Sequence, residues 1–183
     1  MLDKQLQVLS RADRERGIEM LDYLAIFKRL NEKGIRYIVV GGIAVNLYGI
    51  PRMTYDIDLI LDLEDKNLEK FLKLLKVWGF KPKVPVDIME FAEKDKREDW
   101  IKNKNMKAFN LVNPEWAISE IDIVIDSPVD YDKAHKRINE IKLHGVIIPV
   151  VSIDDLIKMK ERTGRKQDKA DIRYLKELKD EKE

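Results

Sequence analysis

Apolar residues recur along this chain in two rhythms, one near 3.6 residues and one near two. Between Arg14 and Lys33, Ile18, Leu21, Leu24, Phe27 and Leu30 return at helical spacing and Ile26 widens the stripe. Gly34 stands where a helix C-terminal cap belongs, so the pattern predicts an amphipathic helix. Ile35 to Val40 is β-branched and aromatic and ends at Gly41-Gly42, the mark of a buried strand meeting a turn. Ile43 to Tyr48 suits a short helix closed by Gly49 and Pro51, and Thr54 to Leu61 largely alternates as a second strand. Asp65 to Trp78 is again helical, through Leu68, Phe71, Leu72, Leu74 and Leu75, with Gly79 closing it.

Lys81 to Pro85 carries two prolines and reads as a loop or edge segment. Glu90 to Lys107 is dense in charge (Glu93, Lys94, Asp95, Lys96, Arg97, Glu98, Asp99), the pattern of a solvated helix face or mobile loop rather than a site. Met106 to Val112 and Ala117 to Ile125 are strand-like runs around Asn113-Pro114, an expected antiparallel pair. Tyr131 to Arg137 can be helical, and Glu140 to Leu143 and Val146 to Val150 are short strands about His144-Gly145. Ser152 is a helix N-cap with Asp154 and Asp155 in the first turn; that helix ends near Gly164, and Lys169 to Lys179 forms the last. With no repeat, low-complexity tract or linker, the order of elements favours the α+β class, a mixed β-sheet with flanking helices. One domain is expected over residues 1–183, with a core at about 14–126 and a helical and hairpin extension at about 127–183.

Composition narrows the function classes. The chain of 183 residues is 44% hydrophobic and 38% charged, enough apolar content for a core and more charge than the ~25% of ordinary soluble proteins. Its 35 Lys+Arg and 34 Asp+Glu nearly cancel, which removes the overall basic field of a dedicated duplex-DNA binder. The absence of cysteine excludes disulfides, thiolate metal sites and cysteine nucleophiles together. Abundant Lys, Arg and Glu with few Gln follows the compositional tendency of thermophile proteins. No apolar run reaches the ~20 residues of a membrane helix, and Asp3, Arg11, Asp13, Arg14 and Glu15 charge the start; a cytoplasmic protein without membrane partners is expected. His135 and His144 stand apart with no cysteine company and do not form a zinc pattern, while Trp78, Trp100 and Trp116 read as packing residues.

The chemistry concentrates in Asp56-Ile57-Asp58-Leu59. Residues two apart in a strand share a face, so two carboxylates project together from a rigid support. Like charges so close need compensation, which a hard divalent cation supplies; magnesium fits when substrate phosphates complete its shell. Asp122, in Glu120-Ile121-Asp122-Ile123-Val124-Ile125-Asp126, adds a third acid if its strand lies beside the first, able to hold a second metal and to take a proton from an attacking hydroxyl. Glu120 and Asp126 share its alternating face and could substitute, though Asp126, at the strand end beside Pro128, reads as a turn residue. Gly41-Gly42 ends a strand and opens a helix, leaving backbone N–H groups for phosphate oxygens. Arg52 and Thr54 precede the acid pair and either approach phosphate or metal-bound water, or serve as an ion-pair partner and a strand former. Tyr48 and Tyr55 flank the same place, for base stacking or for packing. Lys160 and Arg165 lie near a helix end, where cations are favoured without any ligand, and Asp168 and Asp171 read as caps or partners of Lys and Arg.

Val40 to Leu59 resembles the signature of the DNA polymerase β-like nucleotidyltransferase superfamily: a hydrophobic residue with Gly-Gly or Gly-Ser, a short helix, then Asp-hydrophobic-Asp-hydrophobic. Arg52-Met53-Thr54-Tyr55-Asp56-Ile57-Asp58-Leu59 is similar to the Arg-x-Thr-x-Asp-x-Asp-Leu form of small prokaryotic members, including abortive-infection toxin-type and antibiotic-modifying enzymes. The tail from Ser152 to Lys160 and from Gly164 to Ile172 also resembles the closing helices of that group, and the likeness covers most of Ile35 to Leu175. The resemblance implies a polymerase β-like palm with Asp56 and Asp58 as metal ligands and Asp122 as third acid. It implies transfer of a nucleoside monophosphate from a nucleoside triphosphate (ATP or another) to a hydroxyl, with two Mg2+ ions and release of pyrophosphate. Gly41, Gly42, Arg52, Thr54 and Lys160 are then the expected nucleotide-binding residues. Gly42 stands where many relatives have Ser, so backbone N–H or water must replace that hydroxyl. The implied acceptor is a small molecule, a protein side chain or the end of a tRNA; a toxin-antitoxin role would add an antitoxin-type protein partner. A catalytically silent nucleotide- or RNA-binding module of the same fold is the alternative.

Overall fold

In the computed structural model, which describes residues 19–116 and 118–181, the two rhythms become one mixed sheet with helices against it. The parts of the sequence predictions that fall on residues 1–18, and on Ala117, lie outside the described residues. Helix α1 (Glu19–Glu32) buries Leu24, Phe27 and Leu30, as their spacing requires, and Phe27 stacks on Tyr37 with ring centroids 5.9 Å apart. Strand β1 (Tyr37–Val40) is buried throughout and runs without a break into α2 (Gly41–Leu47), which starts at the first glycine rather than at Ile43. Strand β2 (Asp56–Leu61) is shorter than its pattern, leaving Thr54 and Tyr55 in the approach to it, and α3 (Asp65–Val77) follows.

Lys81 and Pro82 form β3, a two-residue edge strand; proline has no N–H to extend the ladder. The charged stretch takes the helical alternative, as a 3-10 helix (Ile88–Ala92) and α4 (Lys94–Lys104), with one side turned inward. Arg97, 6% exposed, donates to the carbonyls of Phe91 (2.7 Å) and Ala92 (2.8 Å), while Trp100 stacks on Phe109 at 5.4 Å. The pattern missed this because two buried residues carry the docking against a charged background. Strands β4 (Ala108–Val112) and β5 (Glu120–Val124) form the expected antiparallel pair. A short α5 (Tyr131–His135) precedes the β6 (Asn139–Leu143) and β7 (Val146–Val150) hairpin. Ser152 caps α6 (Ile153–Thr163) through the Asp155 N–H, Gly164 ends it in the left-handed region, and α7 (Lys166–Asp180) closes the described chain.

The strand order is β3-β4-β5-β2-β1-β7-β6, with β2/β5 and β1/β7 parallel and the other neighbours antiparallel. Central strands therefore have one face to fill with core. Ile57 and Leu59 of β2, Ile121 and Ile123 of β5, and Phe109 and Leu111 of β4 are fully buried together. Alternation then sends Asp56, Asp58, Asp122 and Asn110 to the opposite face. Trp78, Phe80 and Trp116 pack on one another, as the tryptophan reading expects. Among the described residues no helix is long and apolar enough to cross a membrane.

One buried polar residue clamps the ends of β1 and β2. Asn67 accepts from the Arg36 N–H (2.7 Å) and donates to the carbonyls of Arg36 (2.9 Å) and Asp62 (2.8 Å). Asn67→Ala strands those buried backbone groups, so a loss of about 2–4 kcal/mol is expected in urea unfolding. A change under about 0.5 kcal/mol would show that the clamp contributes nothing.

Candidate active site

Register assembles the acids. In the parallel β2/β5 pair Asp58 lies opposite Asp122 and Asp56 opposite Glu120, so the shared face of two strands gathers carboxylates. Asp56, Asp58 and Asp122 each turn one oxygen to within 4.8 Å of the others. The open alternatives resolve geometrically: Glu120 is held outward by Lys83 (2.7 Å), and Asp126, past the end of β5, pairs with Lys107 (2.5 Å) and Arg162 (2.8 Å). Neither His135 nor His144 enters a metal-ligand cluster among the described residues.

In this half-buried cleft two of the acids, Asp58 and Asp122, are held back from ionising. Burial, then the charges of Asp56 and Asp122, push the Asp58 carboxyl up to about 7, against the opposing Gly42 N–H and the Lys160 charge. Burial also raises Asp122, opposed by a hydrogen bond from the Asn110 side chain and by Lys83. The Asp122 Oδ1 is buried without a hydrogen-bond partner, an acceptor that costs free energy unless something satisfies it. Thr54 Oγ1 donates to Asp56 Oδ1 (2.6 Å), and Tyr23 Oη donates to the Thr54 carbonyl (2.8 Å), fixing the first acid from behind. This set of hard oxygens with an orphaned acceptor suits a divalent cation.

The glycines serve the acids first. Gly41 has φ +65°, and a Cβ there would overlap the Asp58 carboxylate; at Gly42 a Cβ would sit 2.6 Å from Thr54 Oγ1. The Gly42 N–H faces the Asp58 carboxylate and lowers its proton affinity. Thr54 fills the space that a side chain at position 42 would need, which gives a physical reason for glycine there.

Arg52 Nη1 donates to Asp171 Oδ2 (2.5 Å), the ion-pair alternative of the sequence reading. Lys160 Nζ donates to the same oxygen (2.7 Å) and to Asp168 Oδ1 (3.4 Å), and Arg165 Nε to Asp168 Oδ2 (2.9 Å). Asp168 and Asp171 thus pair with cations, as expected, and the Lys160 ammonium lies in that buried network beside the acids rather than in an open cleft. Tyr48 is built into packing, its hydroxyl donating to the Val151 carbonyl (2.6 Å) and accepting from Asn139 (2.7 Å); Tyr55 is exposed. Asn110 and Lys83 were missed because only the β4/β5 register and the edge strand bring them to Asp122.

Residues 20–179 match the model of a family described as nucleotidyltransferase of unknown function (DUF6036), and the chain belongs to that family. The lincosamide antibiotic adenylyltransferase LnuA, solved with lincomycin bound, is 19% identical over 88% of this chain and 97% of its own, with a TM-score of 0.56. A nucleotidyltransferase-class protein of Thermotoga maritima is also 19% identical, over 88% and 95%, at a TM-score of 0.53. The antibiotic-resistance factor ANT(2'')-Ia, a solution structure, is 11% identical over 85% and 80%, again at 0.53. At such identities the three share the fold. No match was found among curated proteins. By family and fold the chain is a nucleotidyltransferase.

The Asp58 carboxyl sets a pH signature of the metal-free protein. Its native value of about 7 exceeds its ordinary 3.8, so between the two the folded state holds a proton that the unfolded chain has released. Stability is therefore full below pH ~4 and declines as pH rises to ~7. Asp58→Asn keeps an acceptor for the Gly42 N–H and removes the charge. In chelator it should melt higher than wild type at pH 8, by on the order of 2 kcal/mol, with the gap closing toward pH 5. Thermal melts at the two pH values check this; a pH-independent gap would contradict it.

Proposed function

We propose that the chain catalyses metal-dependent transfer of a nucleoside monophosphate from a nucleoside triphosphate to a hydroxyl, releasing pyrophosphate. The observation that carries this is the convergence of Asp56, Asp58 and Asp122 with a buried, unpartnered Asp122 oxygen. These three carboxylates would hold Mg2+, in two ions once triphosphate oxygens complete the ligand sets. When bound, the metal neutralises charge on the leaving pyrophosphate and makes the attacking hydroxyl more acidic.

The remaining work falls to the chain's own groups. Asp122 accepts the proton of the acceptor hydroxyl as the hydroxyl oxygen bonds to the α-phosphorus and the bond to pyrophosphate breaks. Asn110 holds Asp122 in place from β4, Thr54 orients Asp56, and the Gly42 N–H orients Asp58. Arg52 and Lys160 add positive potential on the glycine side, where the triphosphate lies. The name of LnuA, an adenylyltransferase solved with lincomycin, supports ATP as donor and a small molecule as acceptor. Protein side chains and tRNA ends are the other acceptor classes that this fold admits.

Labelled ATP, Mg2+ and a panel of acceptors (lincomycin among small hydroxyl compounds, tRNA, and a lysate protein fraction) test the reading. Wild type should transfer label, chelator should abolish it, and Asp56→Ala/Asp58→Ala should lose at least about 10³-fold. Equal transfer by wild type and the double variant ends the proposal. Since Asp58 must give up its proton to bind a cation, Mg2+ affinity measured calorimetrically should fall as pH drops below about 7. Affinity unchanged between pH 8 and pH 5.5 would place the ion elsewhere.

A further inference from the structure

Beside the acid cluster lies a second set of ionised groups, drawn from three distant parts of the chain. Asp171 of α7 presents one oxygen, Oδ2, to two cations at once: Arg52 Nη1 from the approach to β2 (2.5 Å) and Lys160 Nζ from α6 (2.7 Å). Lys160, Asp168 and Asp171 are all under 5% exposed. A buried ionic triad is a poor source of stability, because desolvation consumes most of the attraction, and apolar residues of similar volume often do as well. Its position gives it another use. The Arg52 guanidinium carbon would be 3.2 Å from a Cβ at Gly42, the residue whose N–H holds Asp58, and the Lys160 charge is felt at Asp58 itself. The Arg52 Nε is buried with no hydrogen-bond partner, so Nη1 to Asp171 is the bond that aims the guanidinium.

We infer that Asp171 is a positioning residue for nucleotide binding: its shared oxygen fixes Arg52 and Lys160 as a pair of cations beside the acid cluster. The closing helices α6 and α7 are thereby part of the nucleotide site rather than an appendage to it. This rests on the nucleotidyl-transfer reading. The metal-holding acids belong to other strands, so losing Asp171 should weaken the nucleotide far more than the metal. Without the carboxylate, Arg52 and Lys160 repel each other and the guanidinium has no fixed direction.

The test is calorimetric binding of Mg2+ alone and of ATP with Mg2+ to the full chain, for wild type, Asp171→Asn, Asp171→Glu, Arg52→Gln and Arg52→Gln/Asp171→Asn, each checked for folding by circular dichroism. Asp171→Asn should weaken ATP about tenfold or more while changing Mg2+ affinity less than about threefold, with partial recovery in Asp171→Glu. The double variant should lose less than the product of the two single losses, since the Arg52 effect runs through its contact with Asp171 and only the Lys160 contact adds to it. If Asp171→Asn does not fold, Arg52→Gln carries the same expectation from the other side of the bond, weakening ATP and sparing Mg2+. Unchanged ATP affinity in a folded Asp171→Asn or in Arg52→Gln, or equal loss of ATP and Mg2+, overturns the inference while leaving the functional reading intact. Failure of wild type to bind ATP at all overturns both.

Discussion

The mutual repulsion of three carboxylates, held together by strand register, is the constraint around which this structure is arranged. Parallel pairing of β2 with β5 sets Asp58 directly against Asp122, and the two-residue period adds Asp56. The strands cannot slip to relieve the repulsion. A shift of one residue would turn Ile57, Leu59, Ile121 and Ile123 out of the core, a far larger loss than the electrostatic strain it would remove. The core face thus supplies the rigidity that keeps the opposite face in an otherwise unfavourable arrangement.

The neighbouring elements each reduce that strain without abolishing it. The glycine turn lets backbone approach Asp58 and donate to it; Thr54 satisfies one oxygen of Asp56; Asn110 bonds Asp122. Lys83 pairs with Glu120, and its charge also reaches Asp122 and Asp56. What stays unsatisfied is one Asp122 oxygen and the raised Asp58 proton affinity. Residual frustration at the acid cluster is what preorganisation for a cation would require, since a fully compensated cluster would have nothing left to gain from binding.

Much of this was legible in the residue pattern, and for identifiable reasons. Alternation around Ile57 and Leu59 fixes the faces of β2, and glycine followed by a helical run marks the β1–α2 junction; both are local signals. The family resemblance rests on the same local residues and on the tail. Adjacency was not legible: Glu120, Asp122 and Asp126 have equal parity, and only the ion pairs to Lys83, Lys107 and Arg162 decide which carboxylate stays inward. The role of Gly42 was half legible, because the sequence marks a tight approach but does not say that its N–H faces Asp58. The charged stretch around Arg97 was legible as a helix with a solvated face, but charge density hides the two residues that dock it.

Charge counting over the whole site extends the argument to how many cations it can hold. Asp56, Asp58 and Asp122 with Asp168 and Asp171 make five acids, and Arg52, Lys160 and Arg165 supply three positive charges, leaving a deficit of two when every group is ionised. One divalent cation would close that deficit and would favour the ionised Asp58 at neutral pH. A second ion would leave the cleft positive in a half-buried place, where uncompensated charge is costly. On the proposed reading, therefore, the chain alone accommodates one ion, and the second enters with the negative charge of the triphosphate, which couples full metal loading to the presence of substrate.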